Sequence, residues 1–86
     1  MPTVSVFYGI VIAMFYNDHD PPHFHARYAE YRARVAIATG MLLDGELPPR
    51  AERLVQEWAG LHRDELETDW RLAQQLRPLD VIDPLP

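Results

Sequence analysis

The chain contains no cysteine and no lysine among its 86 residues, and only 4 glycines. Without cysteine, neither a disulfide framework nor a thiolate metal site can form, and histidine and carboxylate are the strong ligands left. Without lysine, all 8 basic residues are arginine, the side chain whose planar fork suits phosphate and carboxylate. Long apolar runs are missing too. The longest, Val4 to Tyr16, is interrupted by Ser5 and Gly9, has no basic leader and is too short to span a bilayer. A cytoplasmic protein without membrane association is expected. A strongly basic surface is also absent: the net charge is -5 and the pI about 5.2, which argues against nonspecific coating of nucleic acid.

What is present suits one small domain over residues 1–86. A chain of this length closes a single core but not a core plus an enclosed cavity of drug size, so a ligand site is expected at a surface or an interface. Charge divides unevenly. Residues 1–43 balance Arg27, Arg32 and Arg34 against Asp18, Asp20 and Glu30, whereas residues 44–86 set five arginines against ten acids.

Hydrophobic periodicity predicts an α+β fold, an antiparallel sheet of four or five short strands followed by a long or bent helical segment packed on one face. Thr3 to Phe7 alternates, with Val4 and Val6 on one face and Phe7 on the other. Ile10 to Tyr16 reads as a central strand, and Gly9 as the bulge or tight turn before it. Asn17 to Pro22 is a stiff loop by its residue types, because prolines lack an amide donor and restrict their neighbours. From His23, Phe24, Ala26 and Tyr28 alternate with His25 and Arg27. Beyond a turn at Ala29 and Glu30, Tyr31, Ala33, Val35 and Ile37 alternate with Arg32 and Arg34. A two-residue turn would set Arg27 opposite Arg32 and His25 opposite Arg34. Ala-Glu suits the favoured two-residue turns poorly, so a longer loop with a shifted register stays open.

Strands are expected over about 3–43, with turns at Thr39-Gly40 and Asp44-Gly45 around a short strand at Met41 to Leu43. A helical segment over 49–76 starts at Pro48-Pro49 and carries an apolar stripe of Leu54, Val55, Trp58, Leu61, Leu66, Trp70, Ala73 and Leu76. One helix of that length would reach roughly 40 Å, more than a small sheet can cover, so a bend or break is expected at Gly60. The acids Asp64, Glu65, Glu67 and Asp69 read as a solvated face, and His62 as a packed helix histidine. The tail, 78–86, is either an edge strand or a surface segment. Helices that pair with a second copy of the chain are the alternative architecture, which makes a homo-oligomer an open expectation.

Chemistry concentrates between Asp18 and Tyr28, where three of the 4 histidines lie. His23 and His25, two apart on a strand, share a face and can share a metal. His19 on the stiff loop completes a set of three nitrogens, with Asp18 or Asp20 nearby, so His19, His23 and His25 are the candidate ligands for a divalent metal. Arg27 and Arg34 on that face count against a metal unless acids intervene. The same residues read equally as an anion site. His23 and His25 are then candidate catalytic groups for metal-free cleavage of RNA, and Arg27, Arg32 and Arg34 hold the anion. In the plainest reading these are polar outward residues that need no cofactor.

The opening Pro2-Thr3-Val4-Ser5-Val6-Phe7-Tyr8-Gly9-Ile10, the Asp18-His19-Asp20-Pro21-Pro22-His23-Phe24-His25 motif, Glu46-Leu47-Pro48-Pro49-Arg50 and the ladder of Trp58, His62, Leu66 and Trp70 together resemble a family of short bacterial proteins known as a domain of unknown function. Members are often encoded beside another small protein, and the pair is commonly described as a toxin–antitoxin module. The resemblance implies a cognate protein partner and no particular mechanism. Three readings therefore stand side by side: a binding component of a two-protein module, an RNA-directed nuclease using the His/Arg face, and a His-ligated metal protein. Whether the protein is an enzyme differs among them.

Overall fold

The computed structural model describes residues 2–86. Five antiparallel strands form one meander, β1 (Thr3–Phe7), β2 (Ile10–Ala13), β3 (His23–Tyr28), β4 (Tyr31–Ala36) and β5 (Leu42–Gly45), in the sheet order in which they occur along the chain. Two helices follow, α1 (Pro49–Leu61) and α2 (Arg63–Gln74), which completes the expected α+β architecture. No helix among the described residues is long and apolar enough to cross a membrane.

The β1–β2 connection is a two-residue turn with Tyr8 and Gly9 both at positive φ, the geometry whose twist matches antiparallel strands. The faces of β1 differ from the expected alternation. A register irregularity between Thr3 and Ser5 offsets the alternation, so Val4 and Phe7 are both buried and Val6 is 54% exposed. The β3–β4 turn does consist of Ala29 and Glu30, and Ala29 accepts a positive φ of 52°. Arg27 consequently faces Arg32, and His25 faces Arg34. Asp44 and Gly45, expected as a turn, lie instead in β5 opposite Arg34 and Ala33. Only glycine fits at position 45, because a Cβ there would stand 2.2 Å from the Arg32 carbonyl oxygen.

One face of the sheet is covered. Ile10, Ile12, Phe24 and Val35 are fully buried, and Trp58 of α1 packs against Phe7 and Phe24 with ring centroids 5.3 and 5.7 Å away. Pro49 opens α1, where its missing amide costs nothing, and Glu52 lies at the positive end of the dipole. The helical segment breaks at His62, two residues past Gly60, with His62 at φ −120°. Two members of the expected apolar stripe, Leu61 at the end of α1 and Leu76 beyond α2, are exposed, while Asp69, expected on the solvated face, is fully buried. Asp69 accepts the Asp80 amide at 2.8 Å. The tail adds no strand but closes the core: Ile82 and Leu85 are buried, the Ile82 amide donates to the Val4 carbonyl, and the Trp58 indole donates to the Asp83 carbonyl.

Candidate functional site

Alternation along β3 sends Phe24 and Ala26 into the core and His23, His25 and Arg27 to the opposite face. The connection from β2 then folds across the start of that strand. Its position is set by α2, since the Asn17 amide donates to the Ala73 carbonyl and the Gln74 side chain donates to the Asp18 carbonyl. Asp20-Pro21 is a cis peptide bond, and Pro22 accepts the Ile37 amide. Beneath this loop the His23 side chain is completely buried, 5.4 Å from the Trp70 ring by centroids, although it springs from the face away from the core.

Asp18, His23 and His25 converge. One ligand-capable atom from each lies within 4.8 Å of the others, so this group could hold a metal ion. His23 Nε2 stands 3.0 Å and His25 Nε2 3.3 Å from the same oxygen, Asp18 Oδ2. The second polar atoms of His23 and Asp18 are engaged elsewhere. His23 Nδ1 lies 2.8 Å from the Pro21 carbonyl, to which it donates, and Asp18 Oδ1 accepts the His19 amide at 2.9 Å. His19, expected as the third nitrogen, is exposed and stands outside the group. The carboxylate next to it takes that place, with Oδ1 accepting the His19 amide and Oδ2 facing the two imidazoles. Asp20 is likewise exposed and outside it.

Burial shifts the two titrating partners in ways the neighbours then modify. Burial lowers the His25 pKa below its ordinary value, helped by His23 and Arg34, while the bond to Asp18 opposes the change. For Asp18 burial alone would raise the carboxyl, but the His19 amide, the His25 hydrogen bond and the two imidazoles outweigh it and hold the carboxyl below its ordinary value. At neutral pH an ionised carboxylate thus faces a largely neutral His25.

The three arginines separate into two kinds. Arg34 is ion-paired through Nε, 2.9 Å from Asp44 Oδ2, a partner that sequence reasoning missed because Asp44 was placed in a turn rather than across from Arg34. Arg27 and Arg32 are exposed and, among the described residues, have no carboxylate partner. They border a half-open depression of about 160 Å3 on the outer face of the sheet, with Val11, Ala13 and Phe15 as apolar walls and His25, Arg34 and Asp44 at one side. Phe15 meets His25 edge-on at a centroid distance of 4.2 Å, which joins the depression to the histidine group. His62 lies elsewhere, at the break between α1 and α2 rather than within a helix, packed at 45° to the Trp58 ring with centroids 5.6 Å apart and bonded through Nδ1 to Glu65.

No curated protein and no solved structure matches the chain. A family model described as Domain of unknown function (DUF4160) matches residues 9–71, from the β1–β2 turn into α2, and so takes in the loop, both histidines, Arg27, Arg32, Arg34, α1 and most of α2, stopping short of Ala73 and Gln74, which hold the loop. The chain belongs to the DUF4160 family, with the Asp18-to-His25 group and the outer-face depression inside the matched stretch.

Proposed function

We propose that the protein is the binding component of a two-protein, toxin–antitoxin-like module of the bacterial cytoplasm, and that the outer face of the sheet is where the cognate protein docks. The observation that carries this reading is the pair Arg27 and Arg32, directly opposed across β3 and β4 and without a carboxylate partner among the described residues. Like charges in opposed strand positions repel. A carboxylate brought by a partner removes that repulsion, while Val11, Ala13 and Phe15 accept an apolar side chain beside it. Such a patch, an apolar floor with charge at its rim, has the make-up of a transient protein interface. A second copy of the chain is a poorer occupant, because a two-fold contact would set the same arginines against each other.

RNA is the competing occupant. The net charge of -5 opposes its approach to every other face. Metal-free cleavage would need His23 and His25 at the surface together, and His23 has no exposed side-chain area. Geometry therefore favours binding over cleavage.

The test is to purify the protein with the product of the adjoining reading frame and with total RNA, as wild type and as an Arg27→Ala, Arg32→Ala variant. Expected is a complex with the small protein, weakened at least about tenfold by the double substitution, which corresponds to about 1.4 kcal/mol. Its affinity should fall only moderately with salt. A steep salt dependence with RNA as the retained species would transfer the face to nucleic acid, and unchanged affinity of the variant for the small protein would move the interface elsewhere.

A further inference from the structure

We propose that Asp18, His23 and His25 form a three-ligand site for a divalent first-row transition metal ion of the zinc type, beside the depression that Arg27 and Arg32 border. The first ground is the state of His23. Its Nδ1 donates to the Pro21 carbonyl, which in the neutral imidazole leaves Nε2 with a lone pair, yet Nε2 is buried and has no hydrogen-bond partner. It stands 3.0 Å from Asp18 Oδ2 without hydrogen-bond geometry. A lone pair and a carboxylate oxygen at that distance repel unless a cation lies between them, and a buried unpaired acceptor is costly by itself. An imidazole nitrogen that points beside the carboxylate oxygen rather than at it is the arrangement of two ligands that share one ion.

The second ground is the support around the ligands. Metal-bound histidines usually donate their other N–H to a carbonyl or carboxylate, and ligating carboxylates are themselves hydrogen-bonded. His23 donates to Pro21 in that way, and Asp18 Oδ1 is taken by the His19 amide, so Oδ2 alone faces the imidazoles. The loop carrying Asp18 is tied to α2 through Asn17 and Gln74, so the carboxylate is held before any ion arrives. In a tetrahedral zinc site with bonds of about 2.0–2.1 Å, neighbouring ligand atoms stand about 3.3 Å apart. The two Nε2 to Oδ2 separations, 3.0 and 3.3 Å, are close to that edge. Two nitrogens with one oxygen select zinc-like ions over magnesium and calcium, which take oxygen, and three protein ligands leave a coordination position for water or a ligand. The nearby cation that would oppose an ion, Arg34, is paired with Asp44.

The experiment is calorimetric titration of chelator-treated full-length protein with zinc sulfate, and separately with magnesium sulfate. The variants compared are Asp18→Asn, His25→Ala and His19→Ala, each checked for folding by circular dichroism. Asp18 and His25 are chosen because both are partly exposed, whereas removal of His23 would also vacate core space. Expected is one zinc ion per chain and no saturable magnesium binding. Zinc affinity should fall on the order of a hundredfold or more in folded Asp18→Asn and His25→Ala, since loss of even an outer partner costs about 10–100-fold. His19→Ala should bind as wild type does. Absence of one-to-one zinc binding in the wild type overturns the proposal, as does affinity in Asp18→Asn and His25→Ala within twofold of wild type. Both arms stand whether or not the partner protein binds.

Discussion

On β3 the residues alternate between two environments one side chain apart. Phe24 and Ala26 are buried, Phe24 against Trp58, whereas Arg27 is exposed beside a half-open depression and His25 is half-buried at its edge. The inner face of the sheet is closed by Trp58 of α1, and buried residues of α2 and of the tail, Ile82 and Leu85 among them, join the same core. The outer face is closed at one end only, where the loop through Asp18 covers His23. Burying apolar area stabilises the inner face, so it tolerates little change in volume. The outer face contributes little to stability and keeps its polar groups available. In a domain this small, a site is formed on the face that the helices do not need.

The sharpest way to break this contrast is to empty the inner face. Trp58 is fully buried, and Trp58→Ala should destabilise the protein by about 3–5 kcal/mol in urea unfolding. A midpoint within experimental scatter of wild type would mean that the helices do not close this face. Next in size is Gly45→Ala. At φ +84°, with a Cβ driven onto the Arg32 carbonyl and the Ala33 Cα, it should cost about 2–3 kcal/mol, although the strand lies at the sheet edge. Thermal unfolding measures it, and a loss below half a kcal/mol would show that β5 moves away freely.

A smaller effect is expected from Asp69, the one acid on the inner side of the helices. Burial raises its pKa, reinforced by Asp80 and Glu65 and opposed by the Asp80 amide, and Oδ2 has no partner. The folded protein therefore holds this proton more tightly than the unfolded chain. Its contribution to stability is complete below the unfolded carboxylate pKa and is lost as pH rises through the elevated folded value. Asp69→Asn keeps an acceptor for Asp80 and removes the charge, so relative to wild type it should gain stability as pH rises from acid pH to pH 7. Parallel stability curves for the two proteins across that range would contradict the burial argument.

The smallest stability effect belongs to the outer face. Arg27→Ala and Arg32→Ala should each change folding free energy by less than about 0.5 kcal/mol, because neither side chain has a carboxylate partner within the chain. The same substitutions weaken partner binding, so the face shows a binding defect without a folding defect. A destabilisation above 1 kcal/mol would place the arginines among structural residues.

Much of this was legible in local residue order. Alternation in β3 and β4 assigned His25, Arg27, Arg32 and Arg34 to one face, and the two-residue turn at Ala29 and Glu30 set them opposite each other despite its unfavourable residues. The candidate group was legible as a neighbourhood but not as a ligand set. Strand spacing paired His23 with His25, yet nothing in the spacing decides whether His19 or Asp18 turns inward. That choice is made by the Gln74 and Asn17 contacts, with Gln74 lying 56 positions from Asp18 in the chain. The partner of Arg34 was hidden for a similar reason, since an Asp-Gly pair looks like a turn until close packing against Arg32 and Ala33 requires the glycine within a strand.

The sequence by itself determined the fold class, the short antiparallel strands, the helical segment and the outward chemistry of β3. Those follow from periods of two and 3.6 residues and from turn chemistry, which act between neighbours in the chain. Only the tertiary structure decided that Val4 is buried and Val6 is not, that the helix breaks at His62, that Asp69 is inside, and that the tail seals the core. Each of these depends on a register offset or a contact between distant segments, and such contacts are selected by the packing of the whole domain rather than by any local preference.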